Sequence, residues 1–257
     1  MAADVSHPLI TQPDSDDIGL WRYMDLVKFL SFVPRQELHF SRLDKLGDPF
    51  EGSVNEVTFN ARRVWIESEV KKFLPKGASV HPASVEDSAQ QFSDHFSSSR
   101  REFYCSCWHM NEGESAAMWS LYSKSNESIA IKSTYATLKN LLPNNVFLGK
   151  IEYKSQDELI HPSNQLQVIF TKRKSFEHER EVRAVAWLHD SRRHLYLEFL
   201  CKESGIAVPI SVNELVHSVH LNPECSPWFF EVVKDILDKY EISVQLQQSS
   251  LIGDPIF

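Results

Sequence analysis

The sequence predicts an α+β fold with a largely antiparallel, split sheet, flanking helices and a two-helix insert. Three observations carry that expectation. Helical and strand-like apolar patterns do not alternate regularly, as they would in a doubly wound parallel sheet. Several strand candidates are joined by hairpin-length connections. Between two of the strands stand two long, polar helical stretches, at about residues 54–101.

Taken in order, residues 1–18 carry two prolines, four aspartates and little periodicity, and read as a flexible arm. Residues 19–257 read as one domain, with no internal repeat and no linker. A strand through Leu20-Trp21-Arg22-Tyr23 leads into a short helix from Asp25. Glu37 to Ser41 alternates as a strand, and Asp48-Pro49 with Gly52 turns the loop that follows. From Asn55 to Leu74, Val57, Ala61 and Val64 share a helical stripe that Ile66, Val70 and Phe73 continue, up to Pro75 and Gly77. Val85 to Arg101 is the insert's second helix, and the pair suggests a peripheral lid or docking arm.

Phe103 to Trp108 alternates as a strand. Asn111 with Glu114 resembles a capping box for the next helix, whose apolar side is Met118, Leu121 and Tyr122. Strands are expected at Ser128–Ile131, Val146–Tyr153 and Glu181–Trp187, with a helix from Thr134 to Leu142. Leu195–Leu200 and Ile206–Ile210 form a hairpin. Val216–Leu221, a periodic helix through Phe229, Val233 and Leu237, and a last strand at Ile242–Leu246 close the chain.

Composition excludes whole classes of function. The chain has 257 residues and a formal charge of −8, which disfavours broad nucleic-acid binding. Its eight glycines are dispersed, so neither a dinucleotide fingerprint nor a phosphate-cradling P-loop can be drawn through them. No apolar run approaches the length of a membrane helix, and the acidic N-terminus lacks the apolar core of a signal peptide. Cytoplasm is the default, and the four cysteines are expected as free thiols. No zinc helix or nucleophile elbow is present. Cys105 and Cys107 point to one strand face with His109 nearby, but the second pair of a structural zinc site is missing, so no metal is expected.

The densest polar cluster runs from Lys172 to Arg183. In an extended chain, Glu179, Glu181 and Arg183 would project from one sheet face at intervals of about 6.6–6.8 Å. Two aligned carboxylates beside a guanidinium can bind sugar hydroxyls or stabilise an oxocarbenium ion. A solvated charge ladder on a strand edge is the simpler reading of the same residues. In that case Glu181→Gln would shift stability by about 1 kcal/mol or less. In an active site it would abolish turnover and leave folding nearly intact.

Several segments resemble a bacterial family catalogued as domain of unknown function 2971. They are Leu20-Trp-Arg-Tyr, LHFSRLDKLGDPFEGS, YCSCW, AAMWSLYSKSNESIAIK, FEHEREVRAVAW and the closing stretch from ELVHSVHLNP to QLQQSSLI, together spanning about residues 20–252. Gly47 stands where members of that family often have asparagine before DPFE. Membership says little about activity, although a family of this kind suggests bacterial conflict or phage defence. A second, fold-level resemblance is to ADP-ribosyltransferase-like proteins, which carry an Arg or His on an early strand, a Ser or Tyr on a middle strand and a Glu on a late strand. Here that order falls on Arg22, Ser106 and Glu181, with Glu179 completing a Glu-x-Glu; the middle element lacks a Ser-Thr-Ser run.

What this second resemblance implies is NAD as a substrate and no metal. Arg22 would pair with a cofactor phosphate, Glu181 would accept a ribose hydroxyl, and Glu179 would orient or deprotonate the acceptor. Tyr23 and Trp119 would cover the nicotinamide ring, and Arg183 would stand beside the carboxylates. The rivals are a non-catalytic module that binds a small-molecule nucleotide or a protein partner, and a metal-free hydrolase using the two carboxylates. No membrane partner is expected.

Overall fold

A computed structural model describes residues 3–5, 7–75, 78–160, 165–188, 200–202 and 205–251. The strands are β1 (Gly19–Asp25), β2 (Glu37–Arg42), β3 (Phe103–Met110), β4 (Ser128–Thr134), β5 (Val146–Lys150), β6 (Glu152–Lys154), β7 (Thr171–Arg173), β8 (Glu181–Trp187), β9 (Leu200–Lys202), β10 (Gly205–Pro209), β11 (Ser218–Leu221) and β12 (Gln245–Gln248). The helices are α1 (Leu26–Phe32), α2 (Glu56–Phe73), α3 (Pro82–Ser99), α4 (Ala116–Tyr122), α5 (Tyr135–Leu141), α6 (Gln165–Ile169), α7 (Val212–Leu215) and α8 (Pro227–Lys239).

Among the described residues, ten strands form one sheet, antiparallel except where β12 joins β11 in parallel. A separate parallel pair, β6 with β7, stands beside it. The sheet is split at β3. One edge of that strand pairs with β8 along its length, from Phe103↔Trp187 to His109↔Glu181. Its other edge is shared: β1 pairs only at Leu20↔Met110 and Trp21↔His109, and β2 only at Ser41↔Cys105 and Arg42↔Tyr104. The rest of β1 continues outward against β4, and the rest of β2 against β10. A wedge therefore opens between β1 and β2.

Each face of the sheet has its own core. Leu20, Met24, Trp108, Ile131, Val182, Leu148, Val219 and Phe229 belong to the main cluster, under α1, α5 and α8. Phe103, Cys105, Phe147, Phe170 and Val185 fill the opposite face beneath α6. Alternation along β3 and β8 sends successive side chains to the two faces, as period-2 geometry requires. Local chemistry sets several boundaries: Asp25 caps α1 through the Lys28 amide, and Asn55 caps α2 through that of Thr58.

Several expectations are corrected. The capping box at Asn111 does not form; Ser115 caps α4 instead, which frees the Glu114 carboxylate to reach His220 at 3.0 Å and Trp119 at 3.0 Å. The single strand expected over Val146–Tyr153 is two, because at Ile151 the chain leaves β8 and β6 pairs with β7. The expected strand 195–200 lies outside the described residues except at Leu200, where β9 pairs with β10. The segment read as an arm runs along β5. Asp4 bridges Phe147, and the Lys150 amide donates to Thr11 at 2.8 Å, so the strand's outer edge is satisfied. Ile10 packs where a side chain at Gly149 would stand.

The two insert helices pack on each other through Ile66, Val85 and Ala89. They dock to the body through Thr58 and Phe96, which meet Ile160. No described helix is long and apolar enough to cross a membrane. Cys105, Cys107 and Cys225 are free thiols; the side chain of Cys201 lies outside the described residues.

Candidate functional site

The wedge between β1 and β2 is a cavity of about 540 Å³, a size suited to small-molecule ligands. Arg22 lies across it. Its Nη1 donates to Ser106 Oγ at 2.6 Å and its Nη2 to the His39 carbonyl at 3.0 Å, so one guanidinium bridges the two diverging strands. The ring of Trp108 stands 5.7 Å from the guanidinium carbon. Both hydrogen-bond partners are neutral, and Arg22 has no ion pair among the described residues. Desolvation lowers its pKa to about 10, which still leaves it charged at neutral pH. A half-buried cation with no ion pair among the described residues, set in a cavity, can attract an anion.

The opposite wall is acidic. Glu181 opens β8 and faces the same side as His109, its register partner on β3. Its Oε1 accepts from Arg183 Nε at 2.6 Å, and its Oε2 lies 3.3 Å from Lys172 Nζ. Burial alone would raise the Glu181 carboxyl, but Arg183 and Lys172 outweigh it and hold the pKa below the usual carboxylate range. Lys172 reaches three carboxylates, Glu51 at 3.0 Å, Glu179 at 2.5 Å and Glu181 at 3.3 Å. Burial works against its charge, and Glu181 and Glu51 more than compensate, so it stays protonated. Glu51, Glu179 and Glu181 set against Lys172 and Arg183 leave one net negative charge facing Arg22.

Glu179 is not on the strand. Lys174–Glu179 is a 3₁₀ turn closed by Arg180 at φ 41°, and this left-handed residue swings the Glu179 carboxylate back onto Lys172. The aligned Glu-x-Glu-x-Arg ladder is therefore replaced by a turn, in which two carboxylates meet at one ammonium. The solvated edge is excluded as well, because Glu181 is 4% and Arg183 0% exposed.

Of the expected site residues, the cavity is lined by Arg22, Tyr23, Glu179 and Glu181. Ser106, Trp119 and Arg183 stand behind them. Ser106 is fully buried; it accepts from Arg22 and from Trp108 Nε1 at 3.2 Å, so it positions the guanidinium. Trp119 packs edge-on to Tyr23 at 5.0 Å, and the Tyr23 hydroxyl accepts from the Ser115 amide. Burial pushes the Tyr23 phenol up to about 12. Arg183 donates to Glu181, the Ile169 carbonyl and Glu51, and it is fully buried behind the cavity lining, so it orients Glu181 rather than meeting a ligand.

Four neighbours of these residues are not assigned to the site from sequence: Glu51, Lys172, which stands there only within the polar cluster, and Cys107 and His109, which are weighed there only as zinc ligands. Glu51 comes from the DPFEG loop. That loop is fastened by the Asp48 carboxylate on Arg173, at 2.8 and 3.1 Å, and by Phe50 under the same guanidinium at 4.4 Å. Gly52 turns the loop at φ +67°, against Leu43, where a side chain would collide. Burial and Glu181 push the Cys107 thiol well up, so it stays protonated and donates a hydrogen bond to that carboxylate. Among the described residues no group of His, Cys, Asp and Glu has the arrangement of a metal site. No protein-family model and no curated protein sequence matches the chain.

Proposed function

We propose that the wedge binds NAD and that the protein cleaves it at the nicotinamide–ribose bond, transferring ADP-ribose to an acceptor or to water. The observation that carries this reading is Arg22: a charged group with only neutral partners, across a cavity from two carboxylates. The split itself supports it, because it exposes Arg22 and Glu181, which reach the cavity from opposite sheet faces. Arg22 takes the pyrophosphate by charge-assisted hydrogen bonds. Glu181, kept ionised, accepts a ribose hydroxyl and stabilises the positive charge that grows as the C1′–N1 bond breaks and its electron pair leaves with nicotinamide. The acceptor then bonds to C1′ and gives its proton to Glu179, whose carboxylate pairs with Lys172 alone among the described residues. Tyr23 provides an aromatic wall. The fold-level resemblance to ADP-ribosyltransferase-like proteins points the same way.

The second reading is a nucleotide-binding module without turnover. One observation favours it: both oxygens of Glu181 are already engaged, by Arg183 and Lys172. Incubation of the purified protein with NAD, followed by assay of free nicotinamide, separates the two. Release supports cleavage. NAD binding without release supports the module, and absence of binding contradicts both.

A further inference from the structure

We propose that His109 selects the ligand's leaving group, its Nε2 accepting a hydrogen bond from the carboxamide N–H of nicotinamide. This assignment rests on the NAD reading of the wedge and names the residue that would discriminate at its base end.

The argument begins with a tautomer. His109 Nδ1 lies 2.7 Å from the Glu179 carbonyl oxygen, which can only accept, so Nδ1 carries the proton. Nε2 of the neutral ring is then a bare acceptor. It is buried and has no hydrogen-bond partner among the described residues, although His109 is only 7% exposed and lines the cavity. Buried acceptors are almost always satisfied, so an unpaired one in a cavity wall points to a missing donor. Desolvation, reinforced by Arg180 and His178, disfavours the imidazolium and preserves this acceptor state.

The donor's identity follows from the neighbours. His109 stands in register with Glu181, and the Tyr23 ring is tilted 6.4 Å from the imidazole. A flat group beside Tyr23, attached to the ribose that Glu181 engages, is the nicotinamide ring. Its carboxamide has N–H donors. The carboxylate of the nicotinic acid analogue has none, and it would meet the Nε2 lone pair together with Glu179 and Glu181. The wedge should therefore distinguish an amide from an acid at this position.

Isothermal titration with NAD and with nicotinic acid adenine dinucleotide reads this directly. The wild type should bind NAD about 10- to 100-fold more tightly, the range expected for a buried hydrogen bond lost and an acceptor left unpaired. His109→Asn keeps a side-chain N–H near the Nδ1 position and lacks any atom at Nε2, so its preference should fall to within about threefold. His109→Gln returns an amide oxygen to the Nε2 reach and should recover part of the preference. Equal wild-type affinity for the two dinucleotides would overturn the His109 assignment and leave the NAD reading standing. Binding of neither would overturn both. A preference that survives in a folded His109→Asn protein would place the discriminating group elsewhere. Should that variant not fold, a wild-type preference that His109→Gln loses completely would likewise count against the assignment.

Discussion

The Arg22 guanidinium and the Ser106 hydroxyl meet at 2.6 Å in the gap where β1 and β2 part from β3. Ser106 is fully buried and holds Arg22 in place without facing the cavity itself. Ser106→Ala should therefore weaken NAD binding indirectly. One lost hydrogen bond to a charged group is worth about 1.5–3 kcal/mol, roughly 10- to 150-fold in Kd. Titration with NAD checks it, and an unchanged Kd would mean that Arg22 holds its position without Ser106.

Glu181 and Glu179 should separate in mutagenesis. Glu181 is 4% exposed and partners two cations, so Glu181→Gln leaves Arg183 short of a counter-charge inside the protein. Removing one member of such a pair costs about 3–5 kcal/mol. Folding and turnover should fall together, contrary to the near-intact folding expected from sequence. Glu179→Gln leaves Lys172 with Glu51 and Glu181, so its melting temperature should change little while transfer to an acceptor drops. Thermal melting and nicotinamide release measured on both variants test this; equal losses of stability would contradict it.

The positions that proved legible are those where local chemistry decides. Asp25 begins α1, Asn55 begins α2, and alternation placed β3 and β8 on the correct residues. Arg22, Glu179 and Glu181, which a fold-level resemblance groups, line one cavity. The remainder depended on contacts that a local pattern does not encode. Glu179 reads as strand because nothing in its neighbours announces the positive φ of Arg180. Lys172 reads as the start of a local polar cluster, yet its partner Glu51 lies far away in sequence, in a loop fixed by the Asp48–Arg173 pair. The orphaned Nε2 of His109 depends on a carbonyl at residue 179.

The DPFEG loop should behave as a structural brace for the acidic wall. Asp48→Asn removes the charge that pairs with Arg173 and leaves one acceptor oxygen of two, and Gly52→Ala forces a side chain into positive φ against Leu43. Each should lower stability by about 1–3 kcal/mol. Denaturant melts report this. A neutral Gly52→Ala would show that the loop relaxes at no cost.

Acid should destabilise the fold over a defined range. The Glu181 and Glu114 carboxyls titrate below their ordinary value of 4.5 in the folded protein. A depressed carboxyl contributes stability fully above its unfolded pKa and loses it as pH falls through the folded value. His109, depressed from 6.5, adds a loss of the same sign below that pH. The melting temperature should decline from about pH 6 and fall more steeply below about pH 4.5. A flat profile down to pH 3 would contradict the buried ion cluster.

Titration of ADP-ribose into wild type and Arg22→Gln tests the central claim most directly, because ADP-ribose carries the pyrophosphate without the bond to be cleaved. The wild type should bind. Arg22→Gln should bind at least about 30-fold more weakly, as expected when one partner of a buried charge pair costs about 2–5 kcal/mol. Equal affinity in the two proteins, with both folded, or no binding by the wild type, would contradict the assignment of the wedge as an NAD site.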